Sequence, residues 1–264
     1  MIQQNLATWN VWAAAHGQDN YYDRVALVAG GSSLTIVEED ALRAAVGDVD
    51  GLDVLHIQCH IGFDSVTLAR RGARVTGVDF SPVALDKAAD LAAECHVDIS
   101  WVCAESTALS GTLQGRFDLA YATLGILNWI SDVDAWMRSV ASCLRPGGKL
   151  LLVDRHPLRN MLNRADPPAF VFPYAFDGPR EFVSTRSYAA NTEQVTHVQF
   201  AHSLGEIVTA AVTAGLTVQR LDEHAESPVQ LTVTDDHPDP DGRYRVRVMG
   251  QPVPFLYTLI AARP

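Results

Sequence analysis

The chain has 264 residues, 48% of them apolar, enough for one large domain with a sizeable core. It carries 31 acidic against 20 basic residues, a net charge of −11, which argues against binding nucleic acid through clustered Lys and Arg. No stretch approaches the ~18 uninterrupted apolar residues of a membrane span. The start, MIQQNLATWN, lacks the basic and apolar regions of a secretory signal. Four scattered cysteines, Cys59, Cys95, Cys103 and Cys143, form no CxxC pair, which points to free thiols in a reduced, cytoplasmic setting.

In chain order, the first ~45 residues read as helical and rich in aromatics (Trp9, Trp12, Tyr21, Tyr22), with a break at Gly30–Ser33. A helix is expected over Thr35–Val46, with Glu38, Glu39 and Asp40 in its first turn, where the helix dipole favours acids. From residue 53 strand and helix patterns alternate. Strands are expected at 53–57, 74–78, 98–103, 117–122 and 149–154, and helices near 64–71, 82–95 and 132–143. Ser81–Pro82 is a good helix start, a capping hydroxyl followed by proline at the first helical position. Leu144–Gly148 (LRPGG) reads as a tight turn into the fifth strand. Five strands with helical crossovers imply a doubly wound parallel sheet. Residues 155–200 break the rhythm with Pro157, Pro167, Pro168, Pro173 and Pro179, and Ser184–Tyr188 and Gln194–Phe200 suggest an inserted hairpin over the strand ends. A helix at Leu204–Ala214, stopped by Gly215, and strands at Thr217–Leu221 and Phe255–Ala262 follow. Asp235–Gly242 has the composition of a solvated loop.

The segment 53–81, DVLHIQCHIGFDSVTLARRGARVTGVDFS, carries the most functional information. It reads as strand, turn, helix and strand, with Asp79 at the tip of the second strand. Such a unit builds a nucleoside site: turn amides and a helix N-terminus face the ligand, and an acid about 20 residues on accepts bonds from ribose hydroxyls. The turn has one glycine where a dinucleotide fingerprint wants three.

The order and spacing of these features resemble a class I S-adenosylmethionine-dependent methyltransferase. The match is good over roughly residues 50–155, and the later helix and two strands fit that fold's C-terminal half. The resemblance implies a Rossmann-like, doubly wound, seven-stranded α/β fold, with an N-terminal helical cap (1–46) and a methyltransferase domain (47–264) holding a lid insertion at about 155–202. It implies S-adenosyl-L-methionine as cofactor. Gln58, Cys59, His60 and Gly62 match the loop at its methionine end, and Asp79 and Phe80 the ribose-binding strand tip. Glu105 and Ser106 match the adenine segment, where Asp is usual at Glu105. LRPGG matches the turn before the fifth strand. The usual first loop has an acid near His56 and glycines near Gln58 and His60. The string LHIQCHIG looks like a small-molecule subgroup that uses LHxQCHxG. A cofactor with a carboxylate and a sulfonium but no pyrophosphate needs fewer glycines than a dinucleotide, which favours this reading over a NAD-type oxidoreductase.

Each candidate has a plainer alternative. Asp79 caps a helix in one reading and binds ribose in the other; Glu105 is a surface acid or an adenine-side residue. His56, Cys59 and His60 invite a metal, but four ligands are needed and no second Cys/His pair is near, so no metal is expected. Cys59 has no partner base for a nucleophile. His156, just past the fifth strand, is either a general base for the acceptor or a turn residue bonded to backbone. Trp9 and Tyr22 are either core of the cap or rings that face substrate and sulfonium through cation–π attraction. Thr123 and Asn128, after the fourth strand, are candidates to contact cofactor and acceptor. His197 and His202 read as packing residues. The expected activity is transfer of a methyl group to an O or N atom of a small molecule. The alternatives are the same fold repurposed for non-methylating chemistry, and a non-enzymatic binder. The expected partner is a small-molecule acceptor, not nucleic acid or membrane, with a homodimer left open.

Overall fold

The computed structural model describes residues 1–17, 21–109, 111–163, 169–174, 178–227, 239–240 and 243–264. Of the expected solvated loop at Asp235–Gly242, only Asp239 and Pro240 lie within them.

Seven strands form the central sheet: β1 (Asp53–Ile57), β2 (Arg74–Asp79), β3 (Ser100–Cys103), β4 (Phe117–Thr123), β5 (Leu144–Arg155), β8 (Thr217–His224) and β9 (Leu256–Ala262). Their order is β3-β2-β1-β4-β5-β9-β8. The first five run parallel, and β9 lies antiparallel between β5 and β8. Strands β6 (Arg180–Arg186) and β7 (Asn191–Gln199) form the separate hairpin expected of the insertion. The helices are α1 (Ile2–Ala15), α2 (Arg24–Val28), α3 (Ile36–Val46), α4 (Phe63–Arg70), α5 (Pro82–Glu94), α6 (Val133–Cys143) and α7 (Leu204–Thr213).

Local chemistry explains the starts. Thr35 and Glu38 form a reciprocal capping box on α3, and Ser203 and Glu206 do the same on α7. Ser81 caps α5 through the Ala84 amide, with Pro82 in its first turn. The central strands are apolar on both faces because helices cover both. On one face Leu55, Ile57, Ala120, Ala122, Leu150 and Leu152 pack with Trp136 and Met137 of α6 and Ile207 of α7. On the other, Val54, Leu119, Tyr121, Leu151 and Val153 pack with Leu42 of α3, Val66 and Leu68 of α4, and Leu91 of α5. Each such side chain taken out of water contributes roughly 1.5–3 kcal/mol.

LRPGG departs from the simple turn expected. Leu144 already pairs with Phe117, and the ladder resumes at Lys149 with Leu119, so Arg145–Gly148 bulge out of the strand. Arg145 reaches Asp53 and Asp118 at the far end of the sheet. With Arg74 also on Asp53, these guanidinium groups hold the Asp53 carboxyl down at about 2, Arg74 contributing most. This edge is opposite the strand tips that matter below. Helix α3 joins the sheet's covering layer: Leu42 and Ala45 are buried against it, and Lys149 Nζ donates to Ala45 O at 2.6 Å.

Helix α1 rests on β7. The Asn5 side chain both donates to Val198 O (2.9 Å) and accepts from Val198 N (2.8 Å), and Thr8 Oγ1 donates to Thr196 O. The side-chain amide thereby pairs with one residue of the hairpin edge as a neighbouring strand would. Helix α1 and the β6–β7 hairpin are thus stitched together beside the loop that follows β1, which Trp9 and His16 touch.

Candidate active site

The loop after β1 is built on three left-handed residues: Gln58 (φ 55°), His60 (φ 49°) and Gly62 (φ 82°). Gly62 also has no room for a side chain, since a Cβ there would sit 2.8 Å from Ala88 Cβ. Gln58 and His60 hold a conformation that costs a non-glycine residue about 1–2 kcal/mol. Hydrogen bonds secure it. Cys59 N donates to Val78 O, and His60 N donates to Asp79 Oδ2 at 2.9 Å.

Asp79 stands at the tip of β2, 7% exposed. Its second oxygen accepts from Ser81 N at 2.9 Å. Burial pushes its carboxyl up to about 6, against the pull of the Ser81, His60 and Phe80 amides, and the Glu105 charge adds to the rise. Each oxygen keeps a lone pair for a ligand hydroxyl. Phe80 follows, half-buried. Glu105 lies just past β3, bonded by Thr107 Oγ1 (3.3 Å), and buried Ser106 donates to Gln58 Oε1 (3.3 Å). Gln58 Oε1 also accepts from Trp136 Nε1 (3.1 Å), and its amide nitrogen donates to Ile126 O. The Gln58 side chain therefore braces the floor of the site from beneath, tying the loop to β3, β4 and α6.

Cys59 is buried, and burial with the Asp79 charge pushes its thiol well above the usual range, so it is no thiolate at neutral pH. His56 packs behind the loop. Its Nδ1 shares a 2.7 Å hydrogen bond with Ser65 Oγ, its ring meets Tyr121 edge-on, and burial lowers it to about 4. The four cysteines are unpaired, and among the described residues no three His, Cys, Asp or Glu side chains gather as metal ligands.

Above the loop lies an aromatic cluster. Trp9 meets His60 at 5.2 Å and Trp129 at 5.0 Å, both edge-on. Trp12 and Trp129 each lie within about 5.3 Å of His197, whose other side stacks on Phe182. Tyr22 packs on Phe63 (4.8 Å), and its hydroxyl hydrogen-bonds Tyr188 in the turn between β6 and β7. His16 joins the layers: Nδ1 shares a 2.7 Å bond with His60 Nε2, and Nε2 a 2.6 Å bond with Ser187 Oγ. Lys87 Nζ donates to Ala14 O and His16 O, capping the C-terminus of α1, and Ser81 Oγ donates to Asn10 Oδ1.

Thr123, the last residue of β4, donates to Asp64 Oδ2 at 3.2 Å. Asn128 Nδ2 donates to Phe200 O and to Asn160 Oδ1, joining the loop after β4 to the insertion. His156 is buried and spends both ring nitrogens within the chain. Nδ1 accepts from Leu158 N, and Nε2 contacts Glu223 at 2.7 Å. No lone pair is left over in this arrangement, and these are the contacts of a turn residue. His202 bonds Ile130 O.

Sequence reasoning missed His16, Trp129 and the role of Asp154, whose carboxylate accepts from the Gly125 and Leu127 amides and so shapes the loop after β4. His197, read as packing, sits inside the aromatic cluster. Only the position of Asp154 at a strand end was a signal. His16 and His197 reach the site from segments whose docking no local pattern encodes.

Residues 54–148 match the model of a methyltransferase domain. Among curated proteins, the chain is 30% identical over 133 residues to a ubiquinone biosynthesis O-methyltransferase of Alkalilimnicola ehrlichii, covering 50% of each. It is 33% identical over 121 residues to that of Caulobacter vibrioides, covering 44% of this chain and 48% of the relative. The chain thus spans about half the length of the curated relatives it matches. Among solved structures, an S-adenosylmethionine-dependent methyltransferase from Mesorhizobium loti superposes with a TM-score of 0.63 at 23% identity, covering 89% of this chain and all of the other. A Synechocystis magnesium protoporphyrin IX methyltransferase with bound S-adenosylhomocysteine gives 0.50 at 18% identity, covering 92% and 93%. The chain therefore carries a stretch matching the methyltransferase domain family at residues 54–148, set in the seven-stranded fold of the class I methyltransferases.

Proposed function

We propose that this protein is an S-adenosylmethionine-dependent methyltransferase acting on an O or N atom of a small molecule, and that it belongs with the enzymes whose first loop reads LHxQCHxG. The observation that carries the reading is the Asp79 carboxylate at the tip of β2, drawn onto the loop by the His60 amide within the segment that matches the methyltransferase domain. The residues suit the cofactor. Asp79 and Phe80 take the ribose, Glu105 and Ser106 the adenine side, and Cys59–Gly62 with Thr123 the methionine end. Tyr22 and Trp9 supply ring faces for a sulfonium. When bound, the cofactor supplies an electrophilic methyl group.

The chain's own contribution is placement. Holding the acceptor in line with the methyl carbon is worth on the order of 7–11 kcal/mol in well-oriented cases. Trp9, from the cap, and Asn128, from the loop after β4, are placed to border the acceptor, and cap and hairpin exclude water. A base role for His156 requires its Glu223 contact to break, so alignment rather than proton transfer carries the reaction. The relatives' names favour oxygen as the methylated atom. Two enclosing segments suit a small acceptor, and the net charge of −11 disfavours nucleic acid. Unpaired cysteines suit a reducing, cytoplasmic setting, and no described helix is long and apolar enough to cross a membrane.

Isothermal titration tests the reading with S-adenosylmethionine, S-adenosylhomocysteine and NAD. The first two should bind, and Asp79→Ala should abolish that binding. Binding of NAD alone would overturn the assignment; tight cofactor binding without methyl loss over a broad acceptor panel would point to repurposed chemistry.

A further inference from the structure

Three polar residues that the loop does not use converge where the strand order reverses between β1 and β4. Asp64 lies in the first turn of α4, Glu38 in the first turn of α3, and Thr123 at the end of β4. Asp64 accepts from Ser33 Oγ (2.6 Å) and Thr123 Oγ1 (3.2 Å). Glu38, only 2% exposed, accepts from Thr35 N (2.7 Å). Among the described residues neither carboxylate has an ion-pair partner. The neighbouring imidazole, His56, is kept neutral by burial, so it cannot balance them, and without a cation burial and the Asp64 charge leave Glu38 holding its proton at neutral pH. Tyr121 points to the same place. It lies two residues before Thr123, on the same face of β4. It is fully buried, and its hydroxyl has no well-formed hydrogen bond, the adjacent Thr123 hydroxyl being given to Asp64. The charges of Glu38 and Asp64 bear on that hydroxyl. Two acids and a hydroxyl gathered without a cation make a site that a cation completes.

We propose that Glu38, Asp64 and Thr123 form the subsite for the primary ammonium of the cofactor's amino-acid moiety. This rests on the methyltransferase reading. The site lies beside the loop: Asp64 follows Gly62 by two residues, its charge reaches Tyr22, and Asp64 and Thr123 are only partly buried. A carboxylate supplies charge and Thr123 orients it, while the Phe63 and Asp64 amides at the start of α4 remain for the carboxylate at the other end of the amino-acid group, the Gly62 amide being given to Cys59 O.

The test is isothermal titration of the full chain with three ligands. S-adenosylhomocysteine has the ammonium, its desamino analogue lacks only that group, and 5′-methylthioadenosine lacks the whole amino-acid end. On the wild type, the desamino analogue should bind at least tenfold more weakly than S-adenosylhomocysteine. In Asp64→Asn and in Glu38→Gln, S-adenosylhomocysteine should lose about tenfold and the gap to the desamino analogue should close. Affinity for 5′-methylthioadenosine should stay within twofold, which also shows the variants are folded. An unchanged gap in both variants, or an equal loss for all three ligands, overturns the subsite alone. Failure of the wild type to bind any of the three overturns the subsite together with the methyltransferase reading.

Discussion

His60 Nε2 and His16 Nδ1 share a hydrogen bond of 2.7 Å, and the far nitrogen of His16 lies 2.6 Å from Ser187 Oγ. One fully buried imidazole thus bridges the loop after β1, the end of α1 and the turn of the β6–β7 hairpin. Such a bond holds one proton between the two nitrogens, so the accepting nitrogen carries none of its own. Burial, then the nearby His16 and Lys87, keeps His60 well below the ordinary histidine range.

His16→Ala leaves His60 Nε2 without its partner and takes one of several bonds from Ser187 Oγ, a loss of about 1–3 kcal/mol. The cap should feel it more than the sheet. Amide hydrogen exchange is expected to accelerate in α1 and in β6–β7 while β1, β4 and β5 stay protected. Equal acceleration everywhere would show that the bridge does not hold the cap in particular.

Gln58 separates backbone strain from side-chain bracing. Gln58→Ala keeps the left-handed residue but strips the acceptor of Trp136 Nε1 and Ser106 Oγ. Gln58→Gly loses the same bonds and relieves the strain of about 1–2 kcal/mol. Alanine should therefore be the less stable variant by about 1 kcal/mol in urea denaturation. If glycine is equally damaging, the positive φ costs the wild type nothing.

Much of this was legible from residue order. β1, β2 and β4, the cap at Ser81, the acid-rich first turn of α3, the hairpin and Asp79 at a strand tip all follow from local apolar runs and capping chemistry, whereas Thr35, expected inside α3, is its cap. What was not legible depends on long-range docking. The glycines missing at 58 and 60 were visible, but not that Gln58 and His60 keep the glycine-like backbone. His16 becomes part of the site only because α1 lies on β7, a contact secured by Asn5 and Thr8. His156 sits where a catalytic base would, yet β8 brings Glu223 onto its ring. LRPGG looked like a turn because its bulge is defined by pairing with Phe117, not by its own composition.

Glu38 gives the chain a stability signature. Burial, then the Asp64 charge, raises its carboxyl from 4.5 to about 8. Between those values the folded state binds more protons than the unfolded one, so stability from this group is complete below about pH 4.5 and falls as pH rises towards 8. Glu38→Gln removes the titration. Compared with the wild type, the variant should gain relative stability from pH 5 to pH 8 in chemical denaturation. A constant difference across that range would show that Glu38 is ionised in the fold at neutral pH.

His156 decides between proton transfer and alignment. If its ring serves the turn, His156→Gln removes the Glu223 contact and the bond from Leu158 N, costing about 1–3 kcal/mol of stability. The pH dependence of kcat should then keep its shape, because no catalytic proton has been lost. A base would behave otherwise: its loss costs about 10²–10⁴ in rate and erases the acidic limb of the profile. With the full chain, S-adenosylmethionine and a phenolic acceptor that wild type methylates, the expected outcome is a lowered melting temperature and an unaltered acidic limb. A vanished limb would make His156 the base and require the Glu223 contact to open during turnover.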